Sequence, residues 1–240
     1  MIGVTLSSPG FETLAEEARK RFQKHTGLQC FVVHTTKDHN YLAKLELANF
    51  FEQTVVWFDA DLWFIQDCDL SCFDDREEFF AVRDPGIYDT SHFPHHDSKV
   101  LDIDVEKYFN TGFYIWNSRH NHVFAEAAKI MVENGRKRID LNGKLEDFGE
   151  QSSINAAVQR HSKLELLSNS FNYMPFAEVH KLQAMEVMRN PLTIHAAGYG
   201  NGEPDFEAGT DKLSALRYFE TLYTHGFGHE GFNHHTSAKS

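Results

Sequence analysis

Asp59 and Asp61 are two carboxylates one residue apart, directly after the apolar run Thr54-Val55-Val56-Trp57-Phe58. That run reads as a strand covered on both faces. In an open α/β sheet, ligands gather outside the carboxyl ends of the strands. Paired carboxylates there can share a divalent cation; oxygen ligands suit Mg²⁺ or Mn²⁺, which also bridge diphosphate oxygens. The pattern alone is common. With 16 Asp in 240 residues, about one Asp-x-Asp is expected by chance. Three occur, the others being Asp67-Cys68-Asp69 and Asp102-Ile103-Asp104. Those two read as solvated loop or helix-cap residues. Asp59 and Asp61 differ because Leu62-Trp63-Phe64-Ile65 continues the apolar stretch. Carboxylates inside such a stretch are costly to bury unless paired or metal-bound.

The elements that must position this pair are legible on both sides. Val4 to Leu6 reads as a strand. Phe11, Leu14, Ala15, Ala18 and Phe22 recur at helical spacing up to Gly27, and Cys30 to Val33 is a second apolar run. This is a parallel βαβ pattern. Helices are expected at Tyr41–Phe51, through Phe124 to Met131 with a stop at Gly135, at Gln151–His161 and at Asp211–His225. Short strands are expected at Phe79–Val82, Phe113–Trp116, Leu164–Leu167 and Leu192–Ile194. The polar stretch 84–104 reads as a long loop. No repeat, linker or charge block divides the chain. The fold class expected is α/β, one domain over residues 1–225 with a mainly parallel sheet flanked by helices. The Gly- and His-rich residues 226–240 read as a loose tail.

Composition narrows the partners. Lys plus Arg is 23 against 35 Asp plus Glu, a net charge of −12. That argues against nucleic acid or an anionic membrane as the main partner. Three cysteines give neither a disulfide framework nor a four-ligand zinc site. No apolar stretch approaches a membrane span. The apolar start Met1 to Leu6 is too short for a signal peptide, so a cytoplasmic setting is expected.

The segment Val55 to Phe64 resembles the hydrophobic Asp-x-Asp segment of GT-A glycosyltransferases, most of all the glycogenin-like and galactosyltransferase-like family 8, which uses UDP-sugars. Asp67-Cys68-Asp69-Leu70 resembles the segment that follows it there. Three further matches occur in the family's order: Phe109-Asn110-Thr111-Gly112, Glu150-Gln151-Ser152-Ser153-Ile154-Asn155, and His195-Ala196-Ala197-Gly198. Each is weak alone; together they span residues 55 to 198. The resemblance implies a metal-dependent transferase that moves a sugar from a UDP-sugar to a carbohydrate or other hydroxyl acceptor, with retention of configuration.

It also implies roles. Asp61 would ligate Mn²⁺ or Mg²⁺, Asp59 would contact metal and ribose, and His195 would be the third ligand. Asp59, Ala60 and Asp61, with Asn110, Thr111, Gly112 and Gly198, would line the donor site. Lys44 would face the diphosphate, and Val4, Thr5 and Ser7 would face the uracil. Glu150, Gln151 and Asn110 would stand at the reacting sugar. Blander readings compete: a turn at the strand start for Asn110 to Gly112, helix capping for Glu150, and a solvated helix lysine for Lys44. The chain departs from the family where Glu150 replaces the usual Asp. The lysine that often follows the His motif is also missing, with Tyr199, Gly200 and Asn201 in its place. Two alternatives remain open: a non-catalytic nucleotide-sugar binder, and a haloacid-dehalogenase-type phosphohydrolase. For the second, Trp63 stands where Thr or Val is wanted.

Overall fold

The computed structural model describes residues 1–36, 41–134, 138–139, 145–146, 149–175, 190–197 and 208–225. Gly135, Gly198, residues 199–201 and the tail 226–240 lie outside the described residues. The chain opens with β1 (Ile2–Ser7), α1 (Glu12–Thr26) and β2 (Cys30–His34), with β2 parallel to β1. Gly27 ends α1 in the left-handed region at φ 71°, and its N–H donates to the Gln23 carbonyl at 3.0 Å. The helix α2 (Tyr41–Leu47) passes into a 3₁₀ turn, Ala48–Phe50. Then come β3 (Val55–Phe58), β4 (Leu62–Phe64), β5 (Phe79–Arg83), α3 (Phe93–Leu101) and β6 (Phe109–Trp116). They are followed by α4 (Asn121–Asn134), β7 (Arg138–Ile139), β8 (Leu145–Glu146) and α5 (Glu150–His161). The last elements are β9 (Leu164–Leu167), β10 (Thr193–His195) and α6 (Ala208–His225).

A six-stranded sheet runs β2-β1-β3-β6-β5-β9. Its strands are parallel except β6, which pairs antiparallel with both β3 and β5. The mixed α/β class with a mainly parallel sheet agrees with the sequence expectation. The four residues of β3 are all buried because the sheet has a core on each face. Val55 and Trp57 join one core with Tyr114, Phe124 and Ile154. Val56 and Phe58 join the other with Phe22, Phe64 and Phe113. Phe22 stacks on Phe58 at 4.9 Å between centroids, and Trp57 stacks on Tyr114 at 6.0 Å.

Residues 84–104 are not the long loop expected. They hold a 3₁₀ turn at Pro85–Tyr88 and the helix α3. The buried face of α3 includes Asp97 and Ser98 beside Pro94 and Leu101, so apolar periodicity does not reveal it. The other two Asp-x-Asp pairs do local work, as expected. Asp69 accepts from the Ser71 N–H at 2.9 Å, and Asp104 caps a turn by accepting from Glu106 at 3.0 Å. No helix among the described residues is long and apolar enough to cross a membrane.

Two irregularities build the site. After β3 the chain turns through Asp59-Ala60-Asp61 into β4, which pairs antiparallel with β10 and sets Leu62 opposite His195. Between β5 and β6 the register shifts. Ala81 faces Tyr114, but Val82 faces Asn110, so Thr111 to Phe113 bulge out of that ladder. A bulge re-aims side chains next to a site.

Candidate functional site

Asp59, Asp61 and His195 converge, with one ligand atom from each lying within 4.8 Å of the others. The β4–β10 pairing brings His195 beside Asp61, and the Ala196 N–H donates to the Asp61 carbonyl at 2.9 Å. The Asp59 N–H donates to the Gly112 carbonyl at 2.9 Å, fixing the turn against β6. Gly112 is required there by the imidazole. A Cβ on it would lie 2.8 Å from both His195 Nδ1 and Asn110 Oδ1, and closer still to His195 Cε1. Its role is therefore room for His195, whatever else approaches its backbone.

The tautomer of His195 follows from its neighbour. Asn172 Nδ2 donates to Asn110 Oδ1 at 3.0 Å, which points Asn172 Oδ1 at His195 Nδ1, 2.7 Å away. Nδ1–H is then the donor and Nε2 faces Asp61 Oδ1 at 3.2 Å. Two carboxylates and an imidazole aimed through Nε2 are a donor set that could hold a divalent cation. Asp61 Oδ2 also accepts from Lys212 Nζ of α6 at 2.6 Å. Burial by itself would raise the Asp61 carboxyl. The Lys212 ammonium, hydrogen-bonded to its Oδ2, overrides that and holds it well below the usual carboxylate range.

Lys44 is not a solvated lysine. Its side chain is only 5% exposed, and Nζ donates to the Thr111 carbonyl at 2.7 Å and to Asp59 Oδ1 at 3.1 Å. It lies 3.6 Å from Glu150 Oε1 and 5.0 Å from the centre of the Trp57 ring. Trp57 Nε1 also donates to Asp59 Oδ1, at 3.1 Å. Burial raises the Glu150 carboxyl, Lys44 pulls it back and Asp59 pushes it up, leaving it above the ordinary value. Glu150 opens α5, yet the cap residue Gly149 offers no side chain and Glu150 reaches toward Lys44 and Thr111 instead.

The second half of the site centres on Asn110 and Gln151. Asn110 Nδ2 donates to Asp84 Oδ2 at 3.1 Å and to Gln151 Oε1 at 3.2 Å. Gln151 Nε2 donates to the same Asp84 oxygen at 2.8 Å, and Gln151 Oε1 accepts from the Thr111 N–H at 3.2 Å. Through Asn172 the two halves join in one chain: Asp61, His195, Asn172, Asn110, then Asp84 and Gln151.

The structure thus brings together Lys44, Asp59, Asp61, Asn110, Thr111, Gly112, Glu150, Gln151 and His195. Ala60 is buried in the turn between the two carboxylates. The Val4 side chain belongs to the core and presents nothing to a ligand. Thr5 Oγ1 and Ser7 Oγ are buried without a hydrogen-bond partner among the described residues. The expected Gly198 contact lies outside the described residues. Sequence reasoning missed Asp84, Asn172 and Lys212. Asp84 ends β5 much as Asp59 ends β3, so its strand-end position was a usable signal. Asn172 and Lys212 carried none.

No protein-family model matches the chain, and no curated protein matches it in sequence. Solved structures do match. The glycosyltransferase GlyE of Streptococcus pneumoniae TIGR4 aligns over 92% of this chain and 60% of its own, with a TM-score of 0.60 and 14% identity. The bifunctional glycosyltransferase WbbM aligns over 82% of this chain and 46% of its own, with a TM-score of 0.59 and 14% identity. The chain spans about half to three fifths of the length of these structures. It has a glycosyltransferase fold, with an Asp-Asp-His cluster that could hold a metal ion at the carboxyl end of β3.

Proposed function

We propose that the protein is a metal-dependent glycosyltransferase, similar to family 8, that moves a sugar from a UDP-sugar to an acceptor hydroxyl with retention of configuration. The observation that carries this is the continuous side-chain chain from Asp61 through His195 and Asn172 to Asn110 and Gln151, set in a glycosyltransferase fold. A transferase needs one place for the diphosphate and an adjoining one for the sugar, and this chain links two such halves. Neither alternative is favoured. The solved structures with this fold described above are glycosyltransferases, and a mere binder has less use for a Gln151, Asn110 and Asp84 group beside the metal cluster.

Asp59, Asp61 and His195 would hold Mn²⁺ or Mg²⁺. That ion, when bound, supplies positive charge against the diphosphate leaving group. The protein's own cations share the task. Lys44 and Lys212 flank the two carboxylates, so each brings an ammonium to the diphosphate side. Lys212 would take the place of the lysine missing after the His motif. Asn110, Gln151 and Asp84 would bind the sugar hydroxyls, since amides and a carboxylate offer both donors and acceptors. Their mutual hydrogen bonds hold them in place before the sugar arrives. Thr5 Oγ1 and Ser7 Oγ are the unpaired groups that a uracil edge could satisfy.

Retention follows if the acceptor hydroxyl enters on the face from which UDP leaves. Its proton then passes to the leaving diphosphate oxygen, with Asn110 and Gln151 steadying the sugar. Glu150 offers the competing route of a covalent glycosyl-enzyme. Incubation with a panel of UDP-sugars and Mn²⁺ tests the reading. Slow release of free sugar and UDP, with the retained anomer seen first by NMR, is expected. Turnover of a generic phosphate ester with no UDP-sugar cleavage would contradict it.

A further inference from the structure

Trp57 carries none of the roles given above, yet its indole touches the carboxylate cluster. It stands near the end of β3, and Asp59 follows two positions on, so the alternation of an extended chain puts both side chains on one face of the sheet. There Trp57 Nε1 donates to Asp59 Oδ1 at 3.1 Å. We infer that Trp57 is a positioning residue for the cation: with Lys44 it occupies Oδ1 of Asp59 and leaves Oδ2 as the oxygen that meets the metal. The inference rests on the metal-dependent reading above and adds to it the residue that orients one of the ligands.

Three observations carry it. The first is which oxygen is used. Asp59 Oδ1 accepts from Trp57 Nε1 and also from Lys44 Nζ, each at 3.1 Å. Asp59 Oδ2 accepts no hydrogen bond among the described residues, while Asp59 shares the cluster with Asp61 and His195. The second is the chemistry of the donor. An indole N–H can only donate, so it holds a carboxylate oxygen and competes for no cation. Trp57 is 1% exposed. If Asp59 swung away, a buried N–H would lose its partner, and that cost holds the carboxylate in place.

The third is rigidity. Trp57 lies opposite Tyr114 in the β3–β6 ladder and stacks on it with an interplanar angle of 12°. Tyr114 in turn stacks on Phe79 at 5.5 Å. A ring pinned in this way cannot follow the carboxylate, so the carboxylate is set by the ring. Lys44 differs, because its ammonium is also drawn to an arriving diphosphate. The indole is the donor that stays on Asp59 Oδ1 when UDP binds. Hydrogen-bond partners behind a metal ligand fix its orientation and so its affinity for the ion.

The test compares Trp57→Phe with Trp116→Phe in the full chain. Trp116 is also buried, and its Nε1 donates to Asn121 at 3.3 Å. It lies opposite Val55, at the other end of β3 from Asp59. Both changes delete an indole N–H and shrink a core ring, but only the first releases Asp59. Mn²⁺ binding in the presence of UDP is read by EPR of the free ion. It is expected to weaken at least about tenfold in Trp57→Phe and to stay near normal in Trp116→Phe. Normal Mn²⁺ binding in Trp57→Phe, or an equal loss in both variants, would overturn the role. A second measurement uses the unmodified protein with isotope-labelled tryptophan. Its three indole N–H resonances are assigned with Trp63→Phe and Trp116→Phe, so it stands even where Trp57→Phe does not fold. Adding Mg²⁺ to the UDP-bound protein should move the Trp57 resonance further than that of Trp116. A Trp57 resonance that does not respond to bound Mg²⁺ would overturn the role. No Mn²⁺ binding by the unmodified protein would be a failure of the metal reading itself, and the role of Trp57 would fall with it.

Discussion

Asn155 grips the peptide backbone of Phe109 from both sides. The Phe109 N–H donates to Asn155 Oδ1 at 2.8 Å, and Asn155 Nδ2 donates back to the Phe109 carbonyl at 2.8 Å and to the Gln151 carbonyl at 2.9 Å. Asn155 is fully buried. One side chain therefore ties the strand residue before Asn110 to the helix turn that carries Gln151. Beside it, Tyr108 Oη and Ser152 Oγ hydrogen-bond at 2.6 Å, and Ser152 donates to buried Asp97. The spacing between Asn110 and Gln151 is set by these contacts and not by the two residues alone.

Asn155→Ala is expected to cost about 2–4 kcal/mol of stability, because it leaves buried backbone groups unpaired. It should also lower turnover per folded molecule about tenfold to a hundredfold by misplacing Gln151. Phe124→Ala, in the core under α4, should cost a similar stability of about 3–5 kcal/mol and leave turnover per folded molecule near normal. Denaturant curves and kinetics on both variants separate positioning from plain stability. Equal turnover in the two would remove the positioning role of Asn155.

Gly112→Ala places a methyl group against the His195 ring and the Asn110 amide. The expected loss is about 1–3 kcal/mol from overpacking. Mn²⁺ should then improve UDP binding far less than in the unmodified protein. Calorimetry with and without Mn²⁺ reads this directly. A normal metal effect would mean that His195 does not need the space that Gly112 leaves.

Lys212→Ala removes the ammonium from Asp61 Oδ2. UDP affinity is expected to fall about tenfold, the scale of one charge-assisted hydrogen bond. Lys212→Arg should restore part of it, because the charge returns. Unchanged affinity for Lys212→Ala would leave Lys212 as a structural partner of Asp61 only.

Away from the site, Glu78 accepts from Lys163 at 2.7 Å and from Arg76 at 3.1 Å, and these bonds hold its carboxyl down to about 2 from an ordinary 4.5. A folded value below the unfolded one contributes stability above the unfolded value and loses it as pH falls toward the folded one. Glu78→Gln should therefore destabilise at neutral pH, with the difference closing between pH 4.5 and about 2. Salt should shrink the effect, because Lys163 is largely exposed. Urea midpoints across that pH range check it. A constant difference at all pH values would assign the effect to packing.

Much of this arrangement was legible in the sequence, for physical reasons that differ by residue. The fully apolar Val55 to Phe58 demanded cover on both faces and so marked a central strand, with Asp59 and Asp61 at its end. Gly27 marked the stop of α1 because a left-handed residue was needed there. The antiparallel direction of β6 was not legible, since a strand buried on both faces reads the same either way. The helix α3 was hidden by buried polar residues such as Asp97, which its own apolar count does not reveal. Lys212 was hidden because it is separated from Asp61 by 151 residues and an isolated helix lysine carries no mark of burial. Asn172 sits just after a 3₁₀ turn and acquires meaning only through His195 and Asn110.

The most direct test of the central claim is a calorimetric titration of UDP into the protein with Mn²⁺ and then with EDTA, repeated for Asp61→Asn and Asp69→Asn. Expected is UDP binding at least about tenfold tighter with Mn²⁺, a difference of about 1.4 kcal/mol or more. That gain should vanish in Asp61→Asn and persist in Asp69→Asn. Equal UDP affinity with Mn²⁺ and with EDTA in the unmodified protein would contradict a metal-bridged diphosphate held by Asp59, Asp61 and His195.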